Sequence, residues 1–269
     1  MRALTEAIHS GIPLIADLDD NLWQANQAIW SRRRLTLLGS FLRHAQVITC
    51  STENLRQMLS TMFPSQRVRL IKNYAPEQRR SNAASVNSEK IRIGWTGAPW
   101  TRPKDLEQLR PLAHWIATKP TLQLVHVGHR VGRLSFAHAL ELEDNQVEYY
   151  PLQSYISYLN HLNFEIGLAP LRAGGFNSYK SELKLLEYAS QGIAWIASDV
   201  DPYRDLCDEW KWTGRLAANP NDWIKHLKQL LDEKMFCKEA QTLQEICMQH
   251  RPFRDGVKQW QRLIEAMRP

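Results

Sequence analysis

Phe176-Asn177-Ser178-Tyr179-Lys180-Ser181-Glu182-Leu183-Lys184-Leu185-Leu186-Glu187-Tyr188-Ala189-Ser190-Gln191-Gly192-Ile193-Ala194-Trp195-Ile196-Ala197 is the stretch on which the fold turns. A helical period runs from Tyr179 to Gln191, with Asn177 or Ser178 as its N-cap and Gly192 as its C-terminal stop. Ile193 to Ala197 then reads as a short buried strand. Working upstream, the same alternation continues: strand Phe164 to Leu168, helix Gln153 to His161, strand Val147 to Tyr150, strand Leu122 to Val127, helix Pro103 to Thr118, strand Ile91 to Trp95. Strands alternating with helices of this length predict βαβ units and a parallel sheet, so the fold class is α/β. Ligands of such sheets sit outside the carboxyl ends of the strands, where loops enter helix N-termini.

Further out, residues 73–90 are rich in Pro, Ser, Asn and Ala and read as a linker. Before them lies a shorter series: strand Ile12 to Ala16, an acidic turn from Asp17 to Asn21, a helix from about Trp23 to His44 and a strand Gln46 to Thr49. A helix carrying Leu55, Met58, Leu59 and Met62, capped by Ser51 or Thr52, and a strand Val68 to Ile71 complete it. Residues 221–267 read as two or three helices.

The chain has 269 residues, with 43% hydrophobic and 23% charged residues, values usual for a globular protein. No apolar run reaches the ~20 residues of a spanning helix, and no secretory signal zones are legible at the N-terminus. Cys50, Cys207, Cys237 and Cys247 form no CxxC pair, which predicts reduced thiols, no zinc site and a cytoplasmic location. The net charge of +6 suits an anionic partner. Arg32-Arg33-Arg34 and Arg79-Arg80 read as solvated surface.

Two helix starts carry cations where the helix dipole disfavours them by ~0.3–1 kcal/mol. In the helix of the quoted stretch, Lys180, Lys184, Glu187 and Gln191 share one face at i, i+4, i+7 and i+11. A bound diphosphate would reverse the penalty at that terminus, and Glu187 could accept from ribose hydroxyls. A solvated face with a Lys184–Glu187 pair explains the same spacing. The second start follows strand Ile91 to Gly97, where Gly97 would let a ligand approach the backbone and Arg102-Pro103-Lys104 opens a helix; a tight turn is the alternative. Asp17-Leu18-Asp19-Asp20 could hold a divalent cation, or form the turn that such residues favour anyway. His129, after Val127-Gly128, is placed to touch a ligand or to lie in a surface loop.

The run from Phe176 to Tyr203, with Ile93-Gly94-Trp95-Thr96-Gly97, Ile166 to Leu171 and Ala16-Asp17-Leu18-Asp19-Asp20-Asn21-Leu22-Trp23, resembles family-four retaining glycosyltransferases of the GT-B fold, in a bacterial branch that builds surface polysaccharides. The resemblance implies one complete Rossmann-like domain on the C-terminal side and a truncated one before it: residues 1–75 as a partial acceptor-side domain, 76–250 as the nucleotide-sugar domain, and 251–269 as a helix packing back on the N-terminal part. It implies metal-independent transfer of a sugar from a nucleoside-diphosphate-sugar with retention, without a cofactor. Arg102 and Lys180 would carry the diphosphate charge; Gly97, Lys104, His129, Asn177, Ser181, Lys184 and Glu187 would complete the donor site.

Glu187 matches the second glutamate of the family's E-x7-E motif, whereas Tyr179 stands at the first. The residues before Asn73 match only the last strands and helices of an acceptor domain. The implied partners are the nucleotide-sugar donor and a glycan, lipid-linked or protein acceptor, with no nucleic acid. Peripheral contact with the inner membrane face, and completion by a partner subunit or a homo-oligomer, also follow. A non-catalytic nucleotide-sugar-binding subunit of a larger assembly is the alternative.

Overall fold

The structure, a computed structural model, describes residues 6, 10–25, 30–77, 89–128, 135–152 and 154–267. In chain order the main elements begin with β1 (Ile15–Leu18), α1 (Arg32–His44), β2 (Val47–Cys50), α2 (Glu53–Met62), β3 (Arg67–Leu70), β4 (Ile91–Gly97), α3 (Arg110–Ala117) and β5 (Leu122–Gly128). They continue with β6 (Val147–Pro151), α4 (Tyr155–His161), β7 (Ile166–Ala169), α5 (Leu183–Ser190), β8 (Ala194–Ser198), α6 (Asp201–Trp210), β9 (Leu216–Ala217), α7 (Pro220–Leu231), α8 (Met235–His250) and α9 (Phe253–Glu265). Two compact units divide the chain. The first comprises Met1–Tyr74, Gly174–Ser181 and Phe253–Pro269; the second comprises Ala75–Ala173 and Glu182–Pro252.

The first unit is built on a three-stranded parallel sheet of order β1-β2-β3. Ala16, Leu18, Leu42, Ile48, Leu55, Leu59 and Phe63 form its core. Helix α2 starts where expected, with Thr52 Oγ1 accepting the N–H of Leu55. The expected helix from Trp23 does not form in residues 23–25. There the side chain of Asn21 accepts the N–H of Trp23 at 3.2 Å, a local turn that competes with helix. The described helix begins at Arg32, capped by Ser31; residues 26–29 are outside the described residues.

The second unit holds a six-stranded parallel sheet of order β6-β5-β4-β7-β8-β9. Chain order reverses between β4 and β7, the place where open α/β sheets leave a crevice at their carboxyl edge. Both faces are covered, so the strands read as apolar runs and not as alternating ones. One face carries Ile93, Leu124, Ile166, Ile196 and Trp223; the other carries Val125, Phe164, Leu186, Tyr188 and Trp195.

Two glycines set the geometry at the reversal. Gly94 and Gly167 are register partners across β4 and β7. A Cβ on Gly94 would lie 2.1 Å from the ring of Phe164, and one on Gly167 would lie 2.4 Å from Tyr188. The two rings meet edge to face at 5.5 Å, so α5 settles onto bare backbone.

Two helices differ from expectation. Residues 103–118 form a turn at Pro103–Leu106, a 3-10 turn at Glu107–Leu109 and then α3, because Pro111 lacks the N–H that would continue the ladder. The helix expected from Tyr179 starts at Leu183, after a separate 3-10 turn at Gly175–Tyr179. Helix α6 and the two-residue strand β9 have no counterpart in the sequence reading.

Replacing Gly167 with Ala should cost ~1–3 kcal/mol, the scale of overpacking in a filled core. Urea unfolding should show a lower midpoint with an unchanged slope.

Candidate functional site

Strand β4 ends in Thr96 and Gly97 at the sheet's carboxyl edge. Gly97 has φ +143°, and a Cβ there would meet the Trp95 indole at 2.9 Å. Trp95 stacks on both His126 (5.3 Å) and Phe136 (5.0 Å), which also meet each other at 5.2 Å, and His126 Nε2 lies 3.0 Å from the Gly97 carbonyl. The strand end is therefore backed by packed rings, with Gly97 itself half-buried.

Helix α5 brings two of the expected residues to this edge. Lys184, in its first turn, donates to both the carbonyl and the hydroxyl of Thr96 at 2.6 Å. Its ammonium also lies 5.7 Å from the Trp95 ring centre. These acceptors offset the unfavourable helix dipole at that position. One turn on, Glu187 is 6% exposed. Its Oε2 accepts from the Tyr158 hydroxyl at 2.6 Å and its Oε1 from Tyr155 at 3.2 Å.

The Tyr158 hydroxyl is also 3.2 Å from Thr96 Oγ1. A phenol has one proton, and the shorter contact to a carboxylate takes it, leaving Thr96 to donate across the longer one. Burial, reinforced by the Glu187 charge, pushes the Tyr158 phenol far above its ordinary range and raises that of Tyr155. Both remain donors. A polar chain thus runs from Lys184 through Thr96 and Tyr158 to Glu187.

Arg102 belongs to the same unit and lies beyond the end of β4. It precedes the turn Pro103–Leu106, which continues through the 3-10 turn Glu107–Leu109 into α3, and its side chain makes no cap hydrogen bond. Its guanidinium is 30% exposed and 3.6 Å from Asp105, and Asp105 Oδ1 also accepts the N–H of Arg172. Lys104 is exposed. His129 is outside the described residues. Glu182, the residue before α5, is buried and paired with Arg251 at 2.9 Å, and Arg251 also binds Glu209; this ion cluster pins the start of the helix.

Lys180, Asn177 and Ser181 lie in the first unit. Lys180 does not share a helix face with Lys184 and Glu187, because its backbone is extended (φ −69°, ψ 149°). Its ammonium pairs with Asp20 and lies 4.5 Å above the Phe176 ring centre. Asn177 supplies the carbonyl that accepts the N–H of Lys180, and Ser181 Oγ accepts from Asn73, whose amide also reaches Asp19. Asp17 accepts from the Thr49 hydroxyl at 2.6 Å. Among the described residues no three His, Cys, Asp or Glu side chains are grouped as metal ligands.

Sequence reasoning missed Thr96, Tyr155 and Tyr158. Tyr155 and Tyr158 are separated from Glu187 by β7 and a long loop, so no local spacing signals them.

No protein-family model matches the sequence, and no curated protein is significantly similar to it. Solved structures are similar in fold. The Anabaena protein HepE in complex with UDP and glucose superposes with a TM-score of 0.68 at 13% identity, over 98% of this chain and 75% of that one. Sucrose-phosphate synthase from Thermosynechococcus elongatus gives 0.65 at 13% identity, over 94% of this chain and 67% of that one. The pneumococcal O-GlcNAc transferase GtfA in complex with UDP and GlcNAc gives 0.64 at 12% identity, over 98% and 54%. These neighbours are GT-B glycosyltransferases, and the likeness at such identity is one of fold: parallel-sheet α/β with two sheets.

Replacing Tyr158 with Phe removes one donor from a buried carboxylate, which should cost ~1–3 kcal/mol. Tyr155→Phe, at a half-exposed ring, should cost less. Denaturant unfolding of both variants checks the order.

Proposed function

We propose that the chain is a glycosyltransferase that moves a sugar from a nucleoside-diphosphate-sugar to an acceptor, with retention and without a metal ion, in the synthesis of surface polysaccharide or another glycoconjugate. The observation that carries this reading is the pairing of Lys184 and Glu187 on α5 beside Thr96 and Gly97 at the strand reversal. A cation and a buried carboxylate about one turn apart suit the two ends of a nucleoside diphosphate: Lys184 faces the phosphates and Glu187 accepts from the ribose hydroxyls. HepE was also solved with UDP-glucose, which supports a donor of that class.

In this reading the bare backbone at Gly97 lets the diphosphate approach, and Arg102, with Lys104 beside it, meets the negative charge that grows as the sugar departs. His129, Asn177 and Ser181 are kept as donor contacts, and Lys180 as a second cation for the diphosphate, on the sequence resemblance alone. A second reading is a nucleotide-sugar-binding subunit without turnover; three strands are seen among the described residues of the first unit.

Calorimetry with UDP-, GDP-, ADP- and dTDP-sugars should find one that binds. Glu187→Ala and Lys180→Ala should each weaken it at least tenfold, ~1.4 kcal/mol; unchanged affinity in both overturns the site. Steady release of nucleotide, unaffected by EDTA, is expected from the enzyme, whereas tight binding without release identifies the subunit.

A further inference from the structure

The two phenols that donate to Glu187 are held very differently. Tyr155 and Tyr158 stand three residues apart in α4, on one helix face, and their rings stack at 5.8 Å with planes 30° apart. Tyr158 is buried, reaches Oε2 at 2.6 Å and is also tied to Thr96. Tyr155 is 53% exposed and reaches Oε1 at 3.2 Å. Taking Tyr158 away from Oε2 would strand a buried hydroxyl, at the full cost of desolvating it. Releasing Tyr155 from Oε1 only returns a hydroxyl to water, and its ring can stay on Tyr158. Of the two donors, Tyr155 is the exchangeable one.

Exchange at Oε1 changes what the site can tell apart. A site that hydrogen-bonds a ligand hydroxyl normally rejects the analogue lacking it, because the protein's own buried polar group then loses its partner. At Glu187 that penalty is removed. When a ligand brings a hydroxyl to Oε1, its O–H donates there and the Tyr155 hydroxyl turns to water. When the ligand lacks that hydroxyl, Tyr155 stays and Oε1 keeps its donor. The two bound states differ by one exchange of an alcohol for a phenol on the same carboxylate oxygen. Like exchanged for like in hydrogen bonding leaves little net free energy.

We propose that Tyr155 is a specificity-determining residue that substitutes for the ribose 2′-hydroxyl at Glu187, so that the site takes 2′-deoxyribonucleoside diphosphates as readily as ribonucleoside diphosphates. The inference rests on the proposed nucleotide-sugar donor and extends its class to donors built on deoxyribose. An acidic residue in dinucleotide folds reads the 2′-hydroxyl; here the neighbouring phenol cancels that reading. Tyr158 takes no part in the exchange and positions the carboxylate whichever ligand is bound.

Matched pairs that differ only in the 2′-hydroxyl (UDP with dUDP, GDP with dGDP, ADP with dADP) are titrated into the full chain by calorimetry. For the base that binds best, the two affinities should agree within about threefold in the wild type. In Tyr155→Phe the ribonucleotide should hold or tighten, because no phenol competes with it. The deoxyribonucleotide should weaken, because Oε1 has lost its reserve donor, and the ratio between the two should rise to about tenfold. Tyr158→Phe should shift both members by the same factor and leave the ratio at its wild-type value. That contrast separates a role in specificity from a merely structural one, since only the first moves the ratio. A wild-type preference of about tenfold or more for the ribonucleotide overturns the proposal, as does an unchanged ratio in Tyr155→Phe. If pairs bind and the ratio does not move, this inference alone falls; if no nucleoside diphosphate binds, the transfer reading falls with it.

Discussion

The absence of side chains at Gly94 and Gly167 is the constraint on which the second unit depends. Register partners in adjacent strands, they leave a bare patch of sheet where Phe164 and Tyr188 can lie against the backbone. That contact sets the height of α5 above the sheet, and its height puts Lys184 within hydrogen-bonding distance of Thr96. A methyl group at Gly167 would press on Tyr188 of α5, and one at Gly94 would press on Phe164 beside it. The packing of a core and the geometry of a polar site are here the same fact, because close-packed interiors transmit small displacements without absorbing them.

The polar chain at the edge of this sheet follows from the cost of burying charge. Glu187 is removed from water, and an isolated carboxylate there would be expensive. Two phenols from α4 meet its two oxygens, and burial keeps the Tyr158 and Tyr155 protons in place. Carboxylate oxygens can accept more than one hydrogen bond, so the arrangement orients the group and is compatible with a hydroxylated ligand at the same atoms. Arg251 does comparable work at the other end of the segment, where it neutralises Glu182 and Glu209 beside the first residue of α5.

The first unit uses its residues differently. The ends of β1 and β3 carry Asp17, Asp19 and Asn73 around a cavity, while Asp20 holds Lys180. The segment Gly174–Ser181 belongs to this unit although the helix that follows belongs to the other. This assignment explains why Lys180 does not behave as a helical residue: the 3-10 turn before it ends at Tyr179, where the Tyr179 carbonyl accepts from Thr52 and the Ser178 carbonyl from Asn54. Competing hydrogen bonds to α2 are stronger than the local preference for one continuous helix.

By itself the sequence determined the class of the fold, since buried apolar runs such as Ile193 to Ala197 and the helical period of Leu183 to Ser190 are properties of short windows. It also marked Lys184 and Glu187 as residues on one helix face, because their spacing is local. Tertiary structure alone decided which side chains meet them. Thr96, Tyr155 and Tyr158 arrive from other elements, and no periodicity records contacts across 29 to 88 residues of chain. It alone decided where α5 begins as well: the contacts of Ser178 and Tyr179 with α2 divert the backbone from the path its apolar pattern suggests, whereas the departures at Asn21 and Pro111 are local and stand in the sequence. Local propensities differ by fractions of a kcal/mol per residue, and a few long-range hydrogen bonds in a packed protein outweigh them.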